Sequence, residues 1–147
     1  MKRTARMVLT AAVWIPGASS ALAHHSHPRF YDSCLQVTIA GQIESVEWKN
    51  PHIRVVVEMG DGTSYTAELP APERFARNGI AEAAMAALTV GARITVEGNP
   101  LRDPAEIRAS FPEIPAITNT RVLDVYSISR QDNSWSWSLT PTPRGCQ

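Results

Sequence analysis

Between Leu35 and Trp48 the apolar residues hold a two-residue period and then slip out of it. Leu35, Val37 and Ile39 alternate with Gln36 and Thr38, which is the pattern of a half-buried strand. Gly41 interrupts the run. The apolar positions resume at Ile43 and then shift register to Val46 and Trp48. A glycine followed by a register change predicts a bulge that bends one long strand.

The next segments are shorter. His52 to Met59 is β-branched after the histidine, Gly60-Asp61-Gly62 is a hairpin signal, and Thr63 to Leu69 alternates around Tyr65, Ala67 and Leu69. Pro70 and Pro72 end that strand. Pro72 can open a helix, Glu73 to Asn78 predicts one short helix stopped by Gly79, and Ala81 to Leu88 predicts another. Ala92 to Gly98 predicts a strand with Ile94 and Val96 inward. Leu101 to Asn119 carries Pro104, Pro112 and Pro115 and reads as a long loop with one short helix near Pro104 to Ala109. Arg121 to Ile128 predicts the last core strand, and Trp135 to Leu139 a short edge strand whose two indoles are expected on opposite sides. The order is strand, strand, strand, helices, strand, strand. With its bent first strand, this predicts a mainly β chain forming a small OB-like five-stranded barrel, with a helical insert between strands 3 and 4.

The N-terminus reads as a secretion signal over residues 1–23. Lys2, Arg3 and Arg6 precede the apolar run Met7 to Ile15, and Ala21 and Ala23 fit an Ala-x-Ala cleavage site. The run is too short for a bilayer span of about 20 residues. The expected location is the periplasm or extracellular space, with no stable membrane anchor. Residues 24–139 would form a single domain and 140–147 a tail. The chain has 14 basic and 14 acidic residues, and losing three basic ones leaves 11 − 14 = −3. A mildly acidic domain without a Lys/Arg cluster argues against a nucleic-acid partner. Cys34 and Cys146 would meet an oxidising compartment, where a disulfide between them and two separate thiols both remain open.

Three of the four histidines, His24, His25 and His27, crowd the start of the expected mature chain, and the fourth, His52, follows Asn50-Pro51. Cleavage after Ala23 would give His24 a free α-amine beside its imidazole. That amine has an ordinary pKa near about 8, so a metal can displace its proton near neutral pH. A nitrogen-rich set of this kind suits copper(II). His24, His25, His27 and His52 are therefore the candidate metal ligands. The competing reading is a solvated lead-in, with His52 filling a turn. No nucleophile elbow, metalloprotease helix or phosphate loop is present, so no catalytic residues are expected. Trp48, Tyr65, Trp135 and Trp137 would line a ligand face or pack the core. An exported partner protein is the remaining expectation.

His24-His25-Ser26, Tyr31-Asp32, Val37-Thr38-Ile39-x-Gly41 and Trp48-x-Asn50-Pro51-His52 resemble a family of small exported bacterial proteins of unknown function. Pro70-x-Pro72, Arg77-x-Gly79, Val90-Gly91 and Val96-x-Gly98-x-Pro100 extend the resemblance over residues 23 to 100. It implies a single small β-barrel behind a signal segment and supplies no activity. His24, His25 and His52 match its pattern; His27 does not.

Overall fold

A computed structural model describes residues 27–139. The expected signal segment 1–23, His24, His25, the tail 140–147 and Cys146 lie outside the described residues. The elements are α1 (His27–Phe30), β1 (Val37–Glu47), β2 (Ile53–Glu58), β3 (Ser64–Leu69), α2 (Pro72–Arg77), α3 (Ala81–Ala87), β4 (Arg93–Pro100), α4 (Pro104–Ser110), β5 (Val122–Arg130) and β6 (Ser136–Ser138).

The sheet runs β3-β2-β1-β4-β5-β6, and an added parallel pairing of β3 with β5 closes the first five strands into a barrel. This is the OB topology, with the helix pair α2–α3 between β3 and β4. Closure depends on β1 serving two neighbours. Its first half, Val37 to Gln42, pairs with β4. Its second half pairs with β2, and the register slips between Ile43 and Ser45. The slip is the bulge expected from the sequence, and it turns the strand from one side of the barrel to the other. Leu35 does not join the strand; it precedes β1 and is 56% exposed.

Gly41 has a separate role. A Cβ built there would stand 2.1 Å from the carbonyl oxygen of Glu58 and 2.9 Å from Val57 Cγ1. The end of β2 crosses against β1 at this point, and only a residue without a side chain allows the approach. Gly98 marks a second crossing, 2.7 Å from the Asp124 oxygen by the same construction. There the β4–β5 ladder slips between Glu97 and Gly98.

The core follows from strand alternation. Ile39, Ile43, Ile53, Val55, Val57, Ala67, Leu69, Ile94, Val96, Leu123, Val125 and Ile128 fill the barrel and are almost fully buried. One barrel end is plugged by Phe75 from α2 with Ala84 and Leu88 from the α3 region. Pro72 opens α2, where a missing N–H costs nothing. Gly79, at φ +69, separates the two helices. Phe75 meets Trp48 edge-on at 6.2 Å and Trp137 at 5.1 Å between ring centroids. Trp135 and Trp137 both pack against the core. They do not face opposite sides as expected: residues two apart in a strand share a face, and Ser134, Ser136 and Ser138 take the exposed one.

Outside the barrel, α1 and α4 form a small second layer. Asp103 caps α4 by accepting the Ala105 N–H at 2.8 Å, and Ile107 is buried beneath it. Phe30 stacks on Phe111 at 5.8 Å, and Arg29 lies over the same ring. Backbone bonds from Arg102 N to Phe30 O and from Asp32 N to Pro100 O fasten the segment around Tyr31 to the end of β4. No helix among the described residues is long and apolar enough to cross a membrane.

Candidate functional site

The expected metal ligands are reached only in part by the described residues. His27 opens α1, and its side chain lies outside what is described. His52 is half-buried and directly precedes β2. Its Nδ1 sits 3.3 Å from the carbonyl oxygen of Leu69. A carbonyl only accepts, so in this contact Nδ1 carries the proton and donates it. Among the described residues no group of three or more His, Cys, Asp or Glu side chains is arranged to hold a metal ion.

The most organised polar side chains are ones that sequence reading passed over. The ladders set Glu47 against Arg54, and Arg54 against Glu68, across the outer face of β1, β2 and β3. Arg54 Nε donates to Glu68 Oε1 at 2.9 Å. Tyr31 comes from the outer layer and donates its hydroxyl to Glu68 Oε2 at 2.7 Å. Both carboxylate oxygens of Glu68 are thus occupied, and its side chain is only 15% exposed. Glu47 is paired instead with Lys49. The hairpin signal already contained part of this: counting outward from Asp61, residues whose numbers sum to 122 face each other, as 54 + 68 do. Nothing local to Tyr31 announces its partner 37 residues away.

Burial, together with the charge of Glu68 and the hydrogen bond to it, raises the Tyr31 hydroxyl pKa far above the ordinary tyrosine value. A group raised on folding adds stability that is complete below its unfolded pKa, about 10, and is lost as pH climbs toward the raised value. The wild-type protein is therefore expected to lose stability more steeply than Tyr31→Phe above about pH 10. Urea titrations from pH 9 upward measure it; parallel pH slopes for the two proteins would rule out the buried phenol as the cause.

Beside this row lies a groove of about 510 Å³. Val56, Thr66, Arg54 and Glu68 form its floor, Ser45, Val46 and Glu47 of β1 one wall, and Asn119 and Val122 the other. The Asn119 amide donates to Thr66 Oγ1 at 3.1 Å and its oxygen accepts from Arg121 N at 3.0 Å, which holds the loop before β5 over the seam between β3 and β5.

Fold and site together define a small closed β-barrel of OB topology with a polar groove on its outer face. The chain belongs to a family of unknown function, DUF6152, whose model matches residues 13–108. No curated protein matches it. Among solved structures, a chain of the crystal structure of the S. pombe Stn1–Ten1 complex is similar at 13% identity and a TM-score of 0.45. That match covers 65% of this chain and 57% of the other, so this chain spans less than two thirds of its length.

Proposed function

We propose that this protein is an exported, non-enzymatic binding module that holds copper through its N-terminal histidines, His24, His25 and His27, with His52 completing the ligand set. The observation that carries the reading is the bond from Tyr31 to Glu68. It anchors the chain seven residues after His24 (31 − 24) to the barrel face beside His52. Four of those residues form the helical turn α1, so the stretch reaches at most about 18 Å. Glu68 faces Arg54 across the ladder, and His52 lies two residues before Arg54, roughly 7 Å along the strand. The N-terminal histidines therefore have the chain length to meet His52.

The Leu69 carbonyl supports the same reading. Metal-bound imidazoles commonly donate their other N–H to a backbone carbonyl, which fixes the ring and its tautomer. His52 already makes that contact through Nδ1. The ligating atom would then be Nε2, joined by the α-amine and imidazole of the N-terminal residue.

Copper(II) titration of the exported protein, after its N-terminus has been sequenced, tests this. His52→Ala should weaken binding at least about tenfold, the scale of losing one ligand or its support. One extra residue ahead of His24 should weaken it comparably. Affinity indifferent to both changes would end the copper reading, and cleavage anywhere other than after Ala23 would end its amine-dependent form.

A further inference from the structure

We infer that the outer groove over β2 and β3 is a binding site for a small aliphatic carboxylate, with Arg54 as its anchor. This site adjoins His52 on the same barrel face, but it does not need copper to bind there. Arg54 is fixed from behind: its Nε is spent on Glu68, and Glu68 is held in turn by Tyr31. Its two Nη nitrogens have no partner among the described residues, and its side chain is 46% exposed at the groove. A guanidinium immobilised at Nε and open at both Nη atoms presents the paired donors that a carboxylate takes in a two-point contact. Holding it in place beforehand removes much of the ordering cost of binding.

The rest of the groove selects the ligand. Val56 and Val122 give an apolar surface next to Arg54, and the hydroxyls of Ser45 and Thr66 lie along it. A volume of about 510 Å³ falls in the range of small-molecule sites, roughly 300–1,000 Å³. Charge decides between kinds of anion. Of the lining side chains only Arg54 is cationic, against Glu47 and Glu68, so the lining carries no surplus positive charge. A single negative charge can sit on the Nη pair. A phosphate dianion or a nucleic-acid strand would spread its charge toward Glu47 and Glu68 and be repelled. The fitting ligand is thus a monocarboxylate with a short branched or linear apolar tail. The same chemistry occurs in a free fatty acid and in the C-terminal residue of a peptide.

Octanoate and N-acetyl-leucine are the probes for those two sources, followed by calorimetry or by amide chemical shifts at Ser45, Arg54, Val56, Thr66 and Val122. At least one of them should bind, with octanol and N-acetyl-leucinamide binding at least about tenfold more weakly, the scale of a charge-assisted pair. Arg54→Gln should cause a similar loss. Because that change also disturbs Glu68, Val56→Glu serves as the second variant: it leaves the Arg54–Glu68–Tyr31 chain intact and should abolish binding by placing a carboxylate on the floor. Octanoate alone binding identifies a free acid, and N-acetyl-leucine alone a peptide terminus. No binding by either probe overturns the proposal, as does binding indifferent to both variants, or tighter binding of octyl phosphate than of octanoate.

Discussion

Phe75→Ala should lower the stability of the protein by about 3–5 kcal/mol, the range for removing a buried aromatic ring. Phe75 is 1% exposed and closes one end of the barrel. It is also the shared neighbour of Trp48 and Trp137, at 6.2 and 5.1 Å. The loss should therefore exceed that of a lone core residue, because both indoles forfeit an aromatic contact worth about 0.5–1.5 kcal/mol. Natural domains have only about 5–15 kcal/mol to lose. Thermal unfolding followed by tryptophan fluorescence reads both consequences: a melting point lower by at least about 10 °C, and a native spectrum shifted to the red as water reaches the two rings. An unchanged native spectrum would mean that Trp48 and Trp137 do not depend on Phe75 for their burial.

The second large effect comes from adding atoms. Gly41→Ala sets a methyl group 2.1 Å from the Glu58 carbonyl oxygen, far inside contact distance. The obstacle is backbone at the end of a paired strand, so it cannot move aside as a side-chain tip can. Overpacking of this kind costs typically about 1–3 kcal/mol and more where the backbone must shift; here about 3 kcal/mol or more is expected. Gly60→Ala is the control, with nothing within 4 Å of its Cβ position but a φ of +83. It should cost about 1 kcal/mol, through backbone conformation alone. Chemical denaturation of the two variants separates them, and a Gly41 variant no weaker than the Gly60 variant would show that β1 and β2 can part without penalty.

Much of this fold was legible because the barrel buries one face of every strand. Alternation in Ile53-Arg54-Val55-Val56-Val57 and in Ala67 and Leu69 states which side chains go in. Pro72 and Gly79 mark helix ends through backbone chemistry that acts locally. The bent first strand was visible as a slip in the period. Legibility failed where the determining contact was distant. Leu35 continues the alternation of β1, yet the strand begins at Val37, where pairing with β4 begins. The groove was missed for the same reason. Its floor is the outward face, where Arg54 and Glu68 satisfy the two-residue period as polar positions and nothing more. What makes them a site is a ladder register, a tyrosine from another layer and a loop across the β3–β5 seam. The histidines stood out because their clustering is a property of sequence alone, and the described geometry reaches only His52 among them with its side chain.

The closing pair of strands has a consequence for how the molecule comes to exist. β3 meets β5 through Thr66 with Val122, Ala67 with Leu123 and Glu68 with Asp124, a separation of 122 − 66 = 56 residues. β5 also pairs with β4 along most of its length and carries β6. A chain emerging from its N-terminus can assemble the β2–β3 hairpin and lay β1 along it early, since those partners are near neighbours. It cannot shut the barrel until the residues around Val122 have arrived. Until then the free sides of β3 and β4 present unpaired N–H and C=O groups, the surfaces on which strands of different chains join. The last long strand is therefore both a wall of the finished barrel and the piece that ends the interval in which a nascent chain can pair with the wrong neighbour.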